Sequence, residues 1–310
     1  MEKLYARDIY GKTLVELGKK DKNIVVFDAD LSGSTRTAFF KREFPERFFN
    51  FGVAEQNMMA SAAGLASCGK IVFVSTFAMF ATARPLDQLR NTVCYNKFNV
   101  KIVATHSGIT VGEDGSSHQA IEDIAILRSI PHIRIVVPAD APEAKEAVIA
   151  AYKEEGPFYI RLGRSKVVTI EGKSKFALGK GYVLKKGRDL AIIACGIMVA
   201  EALKAQEILK NKGISATVAN IHTIKPIDKD FIVDLAREHK HILVCEEHQS
   251  IGGLYSAVSE VLSSSCPVRA GSVGINDRFG QSGSPQELMD AYQLSGSYIA
   301  KRAEELIRSQ

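Results

Sequence analysis

Val100-Lys101-Ile102-Val103-Ala104-Thr105-His106-Ser107-Gly108-Ile109-Thr110-Val111-Gly112-Glu113-Asp114-Gly115-Ser116-Ser117-His118-Gln119 runs from an apolar stretch into a loop, and that junction organises the chain around it. Val100 to Val103 is an apolar run that reads as a strand. The loop that follows is punctuated by glycines, where backbone can approach a ligand closely and side chains can converge on it. It carries His106, Asp114 and His118. Two imidazoles and a carboxylate suit a site that binds a polyhydroxylated anion and moves its protons near neutral pH.

Working outward, the same strand-then-helix unit recurs. Short apolar runs at 23–27, 71–76, 101–105, 133–138 and 158–162 alternate with helix-like stretches at 54–66, 83–95, 120–129 and 141–152. The stretch 54–66 is rich in Ala, Met and Gly on most faces, which predicts burial rather than a solvated surface. From Ser165 to Arg188 the periodicity lapses into Lys- and Gly-containing sequence that reads as a linker. A second series follows, with strands at 190–194, 215–220, 241–246 and 267–273 and helices at 199–212, 229–238, 253–262 and 298–307. Strands alternating with helices predict doubly wound parallel sheets. The expected fold is α/β, two doubly wound domains at 1–168 and 187–310 joined by a linker at 169–186.

Composition narrows the class. A chain of 310 residues with 46% hydrophobic content can bury two cores. It has no run of eighteen apolar residues, so no transmembrane helix is expected. Residues 1–8 alternate charged and apolar side chains and lack the features of a secretory signal, so a cytoplasmic protein is expected. Five cysteines, scattered and without a Cys-x-x-Cys, read as free thiols in a reducing compartment rather than a metal site. The net charge of +5 comes without a basic block interleaved with aromatics, which argues against nucleic acid.

Four further motifs carry possible chemistry. Asn50-Phe51-Gly52-Val53-Ala54-Glu55-Gln56-Asn57-Met58 sets a carboxylate at the start of a nearly all-apolar helix. Glu55 there is either stabilised by the helix dipole and first-turn amides or held in a low-dielectric site for proton transfer. Ser75-Thr76-Phe77-Ala78-Met79-Phe80 ends a strand, and Phe77 and Phe80 by themselves read as core packing. Phe27-Asp28-Ala29-Asp30-Leu31-Ser32-Gly33-Ser34 is a turn-rich loop whose Asp and Ser can satisfy their own backbone. Arg161-Leu162-Gly163-Arg164 ends another strand, with guanidinium groups suited either to solvent or to a phosphate. In the second half, Ala194-Cys195-Gly196-Ile197 and Glu246-Glu247-His248-Gln249-Ser250-Ile251-Gly252-Gly253 have anion-binding geometry but read as fold punctuation.

In their order and spacing these motifs resemble the transketolase family, whose substrate loop has the pattern Gly-Glu-Asp-Gly-x-x-His-Gln found at Gly112–Gln119. The resemblance implies that Glu55, in a Glu-x-x-Met context, hydrogen-bonds the pyrimidine ring of thiamine diphosphate. Phe77 and Phe80 then pack on that ring, and Asp30, in an Ala-Asp-Leu-x-x-Ser motif, lies near the coenzyme. The same resemblance assigns Ser34, Arg164 and Arg7 to the phosphate of the substrate, and His106 to the phosphate or the sugar. It puts Asp114 on a sugar hydroxyl and His118 at the reacting end of the donor, making Glu55, His118 and Asp114 the catalytic set. Two departures bear on coenzyme stacking and on the preferred sugar: Ala83 stands where the family often has tyrosine, and Ser107 where it often has aspartate.

The family's Gly-Asp-Gly element with its downstream asparagine, which holds the coenzyme diphosphate and Mg²⁺, has no counterpart here. The resemblance therefore implies a split enzyme. In it, 1–168 is the pyrimidine-binding domain and 187–310 the C-terminal domain. A separate N-terminal subunit completes the thiamine diphosphate and Mg²⁺ sites, this chain itself supplying no metal ligand, in a hetero-oligomer with two of each chain. The implied activity is ketol transfer between sugar phosphates, with the pentose phosphate pathway as its setting. Two alternatives are the beta subunit of a 2-oxo-acid dehydrogenase, which should lack the loop at 112–119, and a non-catalytic partner protein.

Overall fold

The computed structural model describes residues 2–172 and 174–308. Its strands, in chain order, are β1 Lys3–Tyr5, β2 Ile24–Asp28, β3 Phe48–Asn50, β4 Ile71–Ser75, β5 Val100–Ala104, β6 Arg134–Val136 and β7 Phe158–Arg161. They continue as β8 Lys166–Val168, β9 Tyr182–Lys185, β10 Leu190–Ala194, β11 Ala216–Asn220, β12 Thr223–Lys225, β13 His241–Gln249 and β14 Arg269–Ile275.

The first sheet has the order β12-β6-β7-β5-β4-β2-β3, and its pairs from β6 to β3 are parallel. Every residue of β2, β5 and β7 is buried, as a parallel sheet covered on both faces requires. Helices Ala6–Lys20 and Ala141–Lys153 pack one face through Tyr10, Leu14, Leu17 and Val148. Helix Glu55–Ser67 packs the other through Met58, Met59, Ala62 and Ala63. The second sheet, β14-β13-β10-β11-β9, is parallel except for β9. The two α/β units of the sequence reading are both present, within a residue or a few at each strand end.

The structure adds to the pattern and departs from it in several places. The helix Ala6–Lys20 was not anticipated because Gly11 and Gly18 interrupt it, and glycine weakens an isolated helix. Here close packing requires them: a Cβ on Gly18 would lie 2.5 Å from the Phe40 ring, and one on Gly11 2.5 Å from the Arg36 carbonyl. The stretch expected as a helix at 83–95 is a π-helix over Gln88–Cys94. Strand β9 falls inside the expected linker and pairs with β11, and β8 before it pairs with β1. Strand β12, from the second half of the chain, pairs antiparallel with β6 and so extends the first sheet.

The halves are therefore locked together. One core cluster includes Val74 and Ile102 of the first sheet together with Ile193 and Val244 of the second. Glu143 accepts hydrogen bonds from the Tyr182 hydroxyl at 2.9 Å and the Asn220 amide at 3.0 Å. Loops leaving the carboxyl ends of β2, β4, β5 and β7 gather along one edge of the first sheet, where open α/β sheets bind ligands. No helix among the described residues is long and apolar enough to cross a membrane.

Candidate active site

Glu55 opens helix Glu55–Ser67 and is only 4% exposed, yet the helix begins on a solvent-facing segment. Its Oε1 accepts from Arg84 Nη1 at 2.8 Å, and the Arg84 side chain is 45% exposed. The guanidinium of Arg84 also lies 4.0 Å from the centre of the Phe80 ring. Phe80 is stacked with Phe77 at 5.9 Å, and Phe77 with His106 at 3.8 Å. A continuous column, His106–Phe77–Phe80–Arg84, thus ends on the buried carboxylate. His118 stands edge-on to it, 5.2 Å from Phe80 and 6.3 Å from Phe77.

At the other end of the column the site is cationic. Arg7 Nη1 donates to the Ser34 carbonyl at 3.1 Å and stands 3.5 Å from His106 Nε2. A guanidinium can only donate, so Nε2 is the acceptor and Nδ1–H donates to Thr105 Oγ1 at 2.9 Å. Burial, and then the positive charges of Arg7, Arg164, His118 and Arg36, push the His106 pKa down to about 3. Burial and the neighbouring Arg36 likewise lower that of Arg7. Arg7 Nε is buried with no hydrogen-bond partner among the described residues. A cluster of guanidinium groups with one orphaned donor is suited to a dianionic phosphate.

The residues expected from the sequence fall into two groups. Glu55, Phe77, Phe80, His106, His118 and Arg7 meet in one site. Arg164 bears on His106 and forms an ion pair with Glu113 at 2.9 Å. Ser34 contributes its carbonyl, rather than its hydroxyl, to Arg7. Two others stand apart. Asp114 is exposed on the turn between Gly112 and Gly115. Asp30 is held by Asn50, whose amide donates to its carboxylate at 2.8 Å.

Two residues escaped the sequence reading, and a third, Asp28, is the loop aspartate expected there to satisfy nearby backbone. Arg36 joins the cationic corner with its Nε on Asp8 at 2.6 Å. Arg84 pairs with Glu55 across 29 positions. Asp28 is buried and accepts from Leu31 N, Thr35 Oγ1 and Thr37 Oγ1; burial lifts its pKa to about 6 against the pull of those bonds. It shapes the turn that carries Asp30 and Ser34. A backbone signal accompanies the set. Asp30, Arg36 and His106 all have positive φ, a conformation that costs of order 1 kcal/mol or more outside glycine and gathers at functional sites.

The residue types suit the pyrimidine end of a thiamine coenzyme: a buried carboxylate, here paired with the half-exposed Arg84, walled by two phenylalanines. Among the described residues there is no group of three or more His, Cys, Asp or Glu able to hold a metal ion.

Known families and proteins resemble this chain along nearly its whole length. The transketolase pyrimidine binding domain matches residues 2–169, and the transketolase C-terminal domain residues 179–299. A Methanocaldococcus jannaschii protein provisionally named a transketolase C-terminal section is 52% identical over 305 residues, 97% of this chain and 96% of that protein. A solved split gene transketolase, characterised as an inactive β4 tetramer, superposes with a TM-score of 0.90 at 46% identity, covering 99% of both chains. The Pichia stipitis transketolase solved with sedoheptulose 7-phosphate superposes with a TM-score of 0.86 at 26% identity, over 99% of this chain but 46% of that one.

Proposed function

The chain belongs to the transketolase family, and we propose that it is the C-terminal subunit of a split, thiamine-diphosphate-dependent transketolase. In this reading it moves a two-carbon ketol unit from a ketose phosphate to an aldose phosphate. It is active only with a separate subunit that completes the diphosphate and Mg²⁺ sites. The observation that carries the reading is the aromatic column that joins a buried carboxylate, Glu55, to a cationic corner around His106. The likeness to a split gene transketolase of matching length supports the division into subunits, and that protein's β4 tetramer supports self-association of this one.

When bound, thiamine diphosphate supplies the nucleophilic carbon and the electron sink for breaking the C2–C3 bond of a ketose. The protein's own work is to bind, orient and move protons. Glu55 takes the hydrogen bond of the pyrimidine nitrogen once Arg84 has moved aside, and Phe77 and Phe80 hold the ring. Arg7, Arg164 and neutral His106 grip the phosphate, with Ser34 beside them. Fixing the far end of the sugar this way turns binding energy into orientation at the reacting carbons. His118, exposed enough to exchange protons with substrate, acts as base on the donor hydroxyl, and Asp114 accepts from another hydroxyl.

The decisive experiment is ketol transfer from xylulose 5-phosphate to ribose 5-phosphate with thiamine diphosphate and Mg²⁺. It is run on this chain alone and with its co-purifying partner. Activity only in the mixture, abolished by Glu55→Gln with assembly intact, is the expected result. Activity of the single chain would overturn the split. An assembled complex that ignores sugars but decarboxylates 2-oxo acids would point to the dehydrogenase reading, and one unaffected by Glu55→Gln to a non-catalytic role.

A further inference from the structure

We propose that Glu247, a residue of the second domain, is a positioning residue for ketol transfer, acting through the loop that carries Asp114 and His118. The inference rests on the functional reading above and assigns the second domain a part in it.

Glu247 lies in β13 and is 5% exposed. Its Oε1 accepts from the backbone N–H of Thr110 at 2.7 Å, across 137 positions of sequence. Its carboxyl group fills the space beside Gly108, where a Cβ would fall 2.2 to 2.4 Å from the carboxyl atoms. Gly108 also has φ +74°, so glycine is required there twice over. The main chain of Glu247 grips the other end of the loop. Its carbonyl accepts from Arg161 Nη2 at 3.1 Å, and the same nitrogen donates to the carbonyl of Ala120 at 3.0 Å. Gly108 N closes the loop on that carbonyl at 2.8 Å.

Between these ends the loop is pressed against a second feature of the same domain. The Gln119 amide donates to Ile109 O and Gly112 O within the loop and to Gln281 O across the domain boundary, at 3.2, 3.3 and 2.9 Å. Gly115, with φ +79°, would drive a Cβ to 2.6 Å from Ser282 Oγ. His118 by contrast is held only lightly, by Ser117 Oγ at 3.0 Å and the edge of Phe80. Its position is inherited from a backbone path that Glu247 and the segment 280–283 define. The carboxylate of Glu247 is directed at a loop N–H, which is the contact expected of a part that sets a path.

The test compares wild type, Glu247→Ala, Glu247→Gln and Ser282→Val in the assembled complex. Ketol-transfer kcat and KM, thiamine diphosphate Kd and thermal midpoint are measured on each. Glu247→Ala should lower kcat/KM for the sugars by about tenfold to a hundredfold, the scale of a misplaced reacting group, with coenzyme Kd unchanged. Glu247→Gln, which keeps an acceptor toward Thr110, should recover most of that loss. Ser282→Val removes no buried charge but crowds Gly115, and should shift sugar kinetics at an unchanged thermal midpoint. This variant keeps the test open if Glu247→Ala fails to assemble. The proposal falls if both Glu247→Ala and Ser282→Val retain wild-type sugar kinetics while Glu55→Gln is dead. It also falls if sugar kinetics decline and coenzyme Kd rises together, without rescue by glutamine. A wild-type complex inactive in ketol transfer would overturn the functional reading itself.

Discussion

His106 shows how much one side chain can be made to do by its surroundings. Burial and four nearby cationic groups keep its folded-state pKa near 3, against an ordinary value of 6.5. Between those values the unfolded chain binds the proton and the native chain does not. The stability that comes with a neutral His106 is therefore present above pH 6.5 and lost as pH falls toward about 3. His106→Gln should flatten the acid limb of the unfolding free energy over that window, as read by urea titrations at successive pH; an unaltered limb would assign the sensitivity elsewhere. For the phosphate grip, Arg7→Ala or Arg164→Ala should raise the KM of a phosphorylated ketose by about 10- to 100-fold, the size of a charged hydrogen bond. An unphosphorylated ketose should be affected far less, and equal losses on both would show that the arginines act on folding. Glu55, Phe77, Phe80, His106 and His118 are singled out in the sequence by motifs that resemble the transketolase family, although Phe77 and Phe80 by themselves read as core packing. Arg36 and Arg84 are not, because a lone arginine in a polar stretch has the same local appearance whether it is solvated or paired.

At the scale of elements, helix Ala141–Lys153 is well specified by its own sequence. Asp140 is its N-cap, accepting from Glu143 N at 2.9 Å, and Pro142 stands in its first turn. The same carboxylate accepts from Ile170 N at 2.8 Å, so the cap also anchors the segment leaving the first domain. Asp140→Ala should cost roughly 1–3 kcal/mol, a cap plus one buried donor left unpaired, measurable as a lowered urea midpoint at constant slope. A cost near zero would mean that other groups take over both bonds. Such caps, and the apolar runs of β2, β5 and β10, declare themselves locally. The helix Ala6–Lys20 does not, because its glycines answer to Phe40 and Arg36 rather than to the helix.

Across the whole molecule the halves share more than a linker. Arg161 is buried, donates to Asp123 Oδ2 at 2.8 Å and to the Glu247 carbonyl at 3.1 Å, and so joins the two domains. Removing it in Arg161→Leu leaves Asp123 buried and uncompensated, with an expected loss of about 3–5 kcal/mol. With a core cluster and a strand shared between the halves, calorimetry of the wild-type chain should show one cooperative transition. Two well-separated transitions, or a small effect of Arg161→Leu, would show the domains to be independent.

What the sequence determined by itself was everything that depends on near neighbours. It set the alternation of strand and helix, the glycine-punctuated loop after β5, and the motifs whose family resemblance the comparisons bear out. Hydrophobic period reports which residues are buried, and motif spacing reports which lie on one turn or strand end. Only the tertiary structure decided which distant groups meet. The pairing of Glu55 with Arg84, the hold of Glu247 on Thr110, and the return of β12 to the first sheet span from 29 to 137 positions where a hydrogen bond defines them. Such contacts follow from strand order and crossover direction. Period and composition carry no record of either, since a buried strand looks the same whichever strand lies beside it.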